Sequence, residues 1–213
     1  MDWPALLKTA SSNLDIMLRT LILVFSFAFF INQSAKFGDT MLASNHILLQ
    51  LIAFSAFFLD GYAFVVEALV GSAIGAKRRD IFDLAVRRST ILALVTAILL
   101  ALAIVLIGDI AIMLLTDIGA VRIAVDPLLP MAALYVLLSF AAFQLDGIFI
   151  GASFTRQMRD AAALSIAVYF VAWWALSDQF GIQGLWGAMI LYVVARAMAL
   201  LLFYPSLRRS AER

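Results

Sequence analysis

Asp60, Glu67 and Asp146 are carboxylates set inside long apolar stretches of the sequence. An acid near the middle of a lipid-embedded helix costs about 2.5 to 3.5 kcal/mol on insertion scales, so it faces the bundle interior and has a partner or a task. His46, Asp60 and Glu67 stand fourteen and seven residues apart, which on an α-helix puts them within about 60° of one another. Gln50 and Gly71 extend that stripe, and Ser139, Asp146 and Ser153 repeat at sevens to make a second one, with Gln144 off its line. Burial disfavours a charged carboxylate, so a proton or a bound sodium ion makes such an acid tolerable, and losing that ion exposes a negative niche that an organic cation can fill. The expected ion- or substrate-binding set is Asp146, Glu67, Asp60, Gln144, Gln50 and His46, with Asp146 first in the coupling role, where Na+ binds transiently. Asp146→Asn is accordingly expected to fold normally and to lose exchange. The structural alternative is that each acid pairs with Arg19, Arg196 or a freed backbone N–H and contributes only packing. His46 also fits an interfacial, hydrogen-bonded role near the outer end of its helix, and Asn32 and Gln33 read as caps or inter-helix hydrogen bonds closing the first helix.

Other chemistries have little to rest on. The chain has no cysteine and one histidine, which removes thiolate catalysis and multi-histidine or cysteine metal sites. No Gly-x-Ser-x-Gly, His-Glu-x-x-His or phosphate loop occurs, so no enzyme and no resident cofactor is expected. At net charge +1, with basic residues in short clusters, no nucleic-acid partner is expected. The chain is 65% hydrophobic and 14% charged, against about half and about a quarter for a soluble domain. Lipid, not water, is the solvent for most of its surface.

The elements that must position these acids are apolar runs long enough to cross a hydrocarbon core of about 30 Å. Six fit, at about 14–34, 40–75, 89–115, 127–153, 161–177 and 183–204, which predicts an all-α, six-helix membrane bundle forming a single domain over 1–213. The second run is too long for one straight span and is expected to tilt, to project beyond the bilayer or to break near Asp60-Gly61. Lys77-Arg78-Arg79, Arg87-Arg88, Arg156/Arg159 and Arg208/Arg209/Arg213 follow the second, fourth and sixth runs, whereas the alternate loops hold only Lys36 and Arg122. The positive-inside rule then places both termini in the cytoplasm of a multi-pass inner-membrane protein. Residues 77–88 read as an amphipathic helix along that interface. Met1 to Asn13 carries Lys8 but no apolar core with a cleavage site, so no signal peptide is expected. The stretch Phe57-Phe58-Leu59-Asp60-Gly61 is echoed by Phe143-Gln144-Leu145-Asp146-Gly147, and each precedes a Gly-x-x-x-Gly pair, Gly71/Gly75 and Gly147/Gly151. Those glycines are expected to let helix backbones approach. Trp173 and Trp174 are expected to mark an interface belt.

Three stretches resemble a known family. Glu67-Ala-Leu-Val-Gly71-Ser-Ala-Ile-Gly75-Ala76 is similar to the glutamate and glycine signature of MATE (multidrug and toxic compound extrusion) transporters. Gln144-Leu-Asp146-Gly147-Ile-Phe-Ile-Gly151-Ala resembles the acid-bearing helix in the second lobe of the family's DinF-like branch, and the approach from Phe37 to His46 is similar too. The resemblance implies one six-helix lobe of a twelve-helix, V-shaped antiporter that exports cationic, amphipathic drugs in exchange for Na+ or H+, with the missing N-terminal lobe or a second copy of the chain as partner. Ser72 departs from the family's usual glutamine, and the length is about half the family's. The rival readings are a flippase of a related superfamily moving lipid-linked oligosaccharide, which would need basic groups in its cavity, and a non-transporting membrane subunit or remnant.

Overall fold

The computed structural model describes residues 3–211. Arg213, counted above in the last basic cluster, and Met1 lie outside the described residues. The elements run α1 (Trp3–Ser34), α2 (Asp39–Gly75), α3 (Arg79–Leu115), the short α4 (Gly119–Val125), α5 (Leu129–Gly151) and α6 (Thr155–Ser210). A bundle of helices that are apolar nearly all round needs lipid outside as well as a packed interior. Among the described residues, five helical segments are long and apolar enough to cross a membrane. On α3 the outward face is a run of exposed Ile91, Leu92, Val95, Leu99, Leu102 and Leu106, while small Ala93, Ala97 and Ala101 face inward.

The fifth long segment, α6, would extend about 84 Å if straight. It is not straight. Gly181 has φ 56° and ψ −127°, a conformation that costs glycine least. Beyond it the chain folds back: a Cβ on Gly184 would meet the backbone of Leu176 and Ser177, and the rings of Tyr169 and Tyr192 lie 5.6 Å apart, whereas 23 residues of straight helix would separate them by roughly 35 Å. The two arms of α6 thus pack antiparallel.

Two boundaries differ from the sequence reading, and one of the alternatives left open for the second run is removed. Residues 79–115 form one continuous helix, so there is no separate interfacial helix over 77–88; Phe82 and Ala85 are buried in the bundle and only Ile81 and Leu84 remain exposed. The charges of that segment suggested an interface, but they lie on the outer side of an extended α3. The second run is unbroken at Asp60-Gly61: α2 is helical through Gly75 and about 55 Å long. The first helix begins at Trp3 rather than near residue 14.

Helix α5 is the hub, packed against α2, α3 and α6, while α1 rests mainly on α6 and touches α2 sparsely. The α2–α5 contact is built on glycine. A Cβ on Gly147 would collide with the Ala63 carbonyl and one on Gly151 with the Glu67 carbonyl, while one on Gly71 would lie 3.3 Å from the Gly151 carbonyl oxygen; Gly61 and Gly75 stand in open space. Three of the four Gly-x-x-x-Gly residues therefore meet each other's helices, as the expectation of close backbone approach requires.

Charge pairs tie the helix ends that carry the basic clusters. Arg208 reaches α3 with two bonds to Asp83, at 2.8 and 2.7 Å. Buried Asp15 of α1 accepts from Arg159 of α6 at 2.7 Å and from Thr155 at 3.3 Å. At the other end, Asn45 donates to Ser34 at 3.0 Å and accepts from the indole N–H of Trp186 at 2.9 Å. This network, rather than Asn32 and Gln33, joins the end of α1 to its neighbours; Gln33 reaches only Asn32 at 3.4 Å. Trp174 is exposed and Trp173 packs edge-on to Phe29 under the Lys36 ammonium.

Candidate functional site

The sparse contact between α1 and α2 leaves a cavity of about 640 Å³ bounded by α1, α2, α5 and the second arm of α6. Its volume is that of a drug-sized ligand site. Both polar stripes open into it: His46, Gln50, Asp60 and Glu67 from α2, Ser139 and Asp146 from α5. Between them the walls are apolar, with Phe27, Phe64, Phe143 and Ile150 among the lining. The heptad spacing on α2 thus turns one polar edge of an otherwise apolar helix toward the cavity, which stays open on one side. Two singled-out residues do not join it. Gln144 is buried on another side of α5, and its amide nitrogen and oxygen have no hydrogen-bond partner among the described residues; two residues before Asp146, it points about 200° round the helix from the cavity. Ser153 lies beyond the end of α5 in a corner with φ 59°. Ser72, where the family resemblance weakens, is exposed and outside the cavity lining.

Electrostatically the three acids are not equivalent. Asp146 is buried and its Oδ2 accepts from two guanidiniums, Arg19 of α1 and Arg196 of α6. Both arginines also line the cavity. The pairing named as the structural alternative is present for this acid. It joins three elements at one oxygen: α1, α5 and the second arm of α6. Among the described residues, Arg19 keeps its buried Nε without a hydrogen-bond partner. Asp60 and Glu67 are half-buried cavity residues with no hydrogen bond or ion pair of their own among the described groups. Asp60 is close enough to both arginines to feel their charge without bonding to either. Counted formally, the cavity lining carries Arg19 and Arg196 against Asp60, Glu67 and Asp146, a balance of −1.

Such a chamber can hold an amphipathic molecule by its apolar walls and a cationic group by a free carboxylate. Arg19, fifteen residues before the end of α1, was read in the sequence only as a possible partner of an acid, because no local spacing ties it to the polar stripes of α2 and α5.

Comparison with known proteins gives a consistent picture. The MatE family model matches residues 16–172. DNA damage-inducible protein F of Escherichia coli (strain K12) is 32% identical over 192 residues, covering 88% of this chain and 41% of that relative. The chain thus spans about two fifths of the length of the relative it matches.

Proposed function

The chain belongs to the MatE family, and from that membership we propose that it is one six-crossing lobe of a multidrug efflux antiporter, exchanging cationic amphipathic compounds for Na+ or H+. The observation that carries the reading is the acid-lined, apolar-walled cavity, which combines room for a drug-sized molecule with three carboxylates on two facing helices. Six crossings follow if each arm of α6 spans the membrane. A flippase for an anionic lipid-linked substrate is less well supported: two arginines line the cavity, but both are engaged by Asp146 and the acids outnumber them. The proposed location is the inner membrane with both termini cytoplasmic.

Alternating access needs a second lobe to close the other side of the cavity. Proteoliposomes holding monomeric chain should therefore show no ion-driven efflux of a cationic dye, and efflux should appear when a partner lobe or a second copy is assembled with it. Ion-coupled efflux by demonstrably monomeric chain would refute the lobe reading; failure of every assembled form to move dye would favour a non-transporting subunit.

The proposed topology makes a separate prediction. Cysteines placed at Lys77, in the α2–α3 corner, and at Arg122, in α4, should react with an impermeant maleimide from opposite sides of the membrane. Labelling of both from one side would sink the orientation.

A further inference from the structure

We propose that Asp146 is a positioning residue rather than a cation-binding one: it holds Arg19 and Arg196 as a fixed cationic wall, which confines a bound organic cation to the opposite, α2 side of the cavity, against Asp60, Phe64 and Glu67. The inference rests on the reading of the cavity as a cation site and assigns the residues within it.

Charge decides between the acids. One Asp146 oxygen accepts from both guanidiniums, so the group as a whole carries +1, and an incoming cation would have to displace a tethered, charge-assisted donor from a site out of water. Among the described residues Asp60, which feels the two arginines only at a distance without bonding to either, and Glu67 line the same space without a hydrogen bond or ion pair of their own. Their spacing also suits one ligand. Residues 60, 64 and 67 follow one another at i, i+4 and i+7 on α2, so Phe64, itself exposed to the cavity, lies on the helix face between the two carboxylates. An aromatic ring between two acids about 10 Å apart along the axis is suited to a diffuse, weakly hydrated organic cation, which gains from the ring face as well as from the carboxylates. The arginine wall gives the specificity: it repels that charge from the α5 side and would welcome an anion if Asp146 were lost.

The experiment uses the full chain in nanodiscs and two probes of matched size and opposite charge, tetraphenylphosphonium and tetraphenylborate, with binding to empty nanodiscs subtracted. Wild type should bind the phosphonium, and Asp60→Asn should weaken that binding about tenfold or more, the loss expected when a charged partner is removed. Asp146→Asn should shift preference toward the borate, a change that loss of packing alone would not produce. The double variant Asp146→Asn with Arg19→Gln keeps the charge of that wall at +1 and should return phosphonium affinity to within about threefold of wild type, because the α2 acids remain. Absence of phosphonium binding by wild type, an unaffected Asp60→Asn, a double variant that loses as much as Asp60→Asn, or an Asp146→Asn variant whose cation–anion preference stays unchanged would each overturn the assignment. Dye efflux by the assembled transporter that persists alongside any of these results would leave the antiporter reading standing and remove only this one.

Discussion

Asp146→Asn is expected to lower the stability of the lobe by about 3 kcal/mol or more, the usual cost of removing one partner from a buried ion pair and leaving the other uncompensated. The carboxylate is the shared acceptor of Arg19 and Arg196, so its neutral replacement leaves two cationic groups facing each other, one of them 8% exposed. Denaturant or thermal unfolding in detergent should register the loss. Adding Arg19→Gln should recover part of it, since one guanidinium can then use the remaining amide oxygen as an acceptor, and a double-mutant cycle would give the coupling directly. If Asp146→Asn unfolds like wild type, the three-element clamp carries no stability. The sequence reading expected this variant to fold normally and lose only exchange, because it treated the acid as waiting for an external ion. The clamp requires the opposite emphasis.

The second large effect concerns backbone contact. Gly147→Ala and Gly151→Ala would each drive a methyl group into a carbonyl of α2, at Ala63 and Glu67. Backbone cannot rotate away as a side chain can, so each is expected to cost about 1 to 3 kcal/mol by overpacking. Gly61→Ala and Gly75→Ala, built into open space, should instead be neutral or stabilising by about 0.5 to 1 kcal/mol, since alanine loses less entropy in a helix. The comparison controls for the substitution itself. Equal effects at all four positions would rule out the glycine-built α2–α5 contact. Because the Glu67 carbonyl is the atom that Gly151 abuts, Gly151→Ala should also displace a cavity acid and weaken cation binding, whereas Gly75→Ala should not.

The polar stripes were legible in the sequence because charged and imidazole side chains are few on α2, and His46, Asp60 and Glu67 recur at multiples of seven. The same scarcity hid the rest. Where helices are apolar on every side, hydropathy cannot say which face is core and which meets lipid, and the packed side of α3 is set apart mainly by small residues such as Ser89, Ala93, Ala97, Ala101 and Gly108. Arg87 and Arg88, exposed on α3, looked like the end of a surface helix although they belong to a continuous one. The Ser34–Asn45–Trp186 network joins residues far apart in the chain, with no local spacing to announce it. The internal echo misled in part. Asp60 and Asp146 are 86 residues apart, but the corners at Lys77 and Ser153 are 76 apart, so the matching letters are out of register with the matching structure.

Those two corners repeat one backbone device. After Gly75-Ala76 and Gly151-Ala152 a single residue turns left-handed, Lys77 at φ 54° and Ser153 at φ 59°, and the next amide bonds back five residues, Arg78 to Ala73 and Phe154 to Phe149, both at 2.9 Å. Each corner closes a helical hairpin with local hydrogen bonds alone. The hydrogen bonds that close these two corners are local, so each corner can form as soon as its second helix has been synthesised, and the pair can enter lipid with its corner amides already satisfied. For α2 with α3 and for α5 with α6, the unit of insertion is then the hairpin rather than the single helix, and a proline at position 78 or 154, which removes the closing N–H, would be felt during biogenesis before it was felt in the finished lobe.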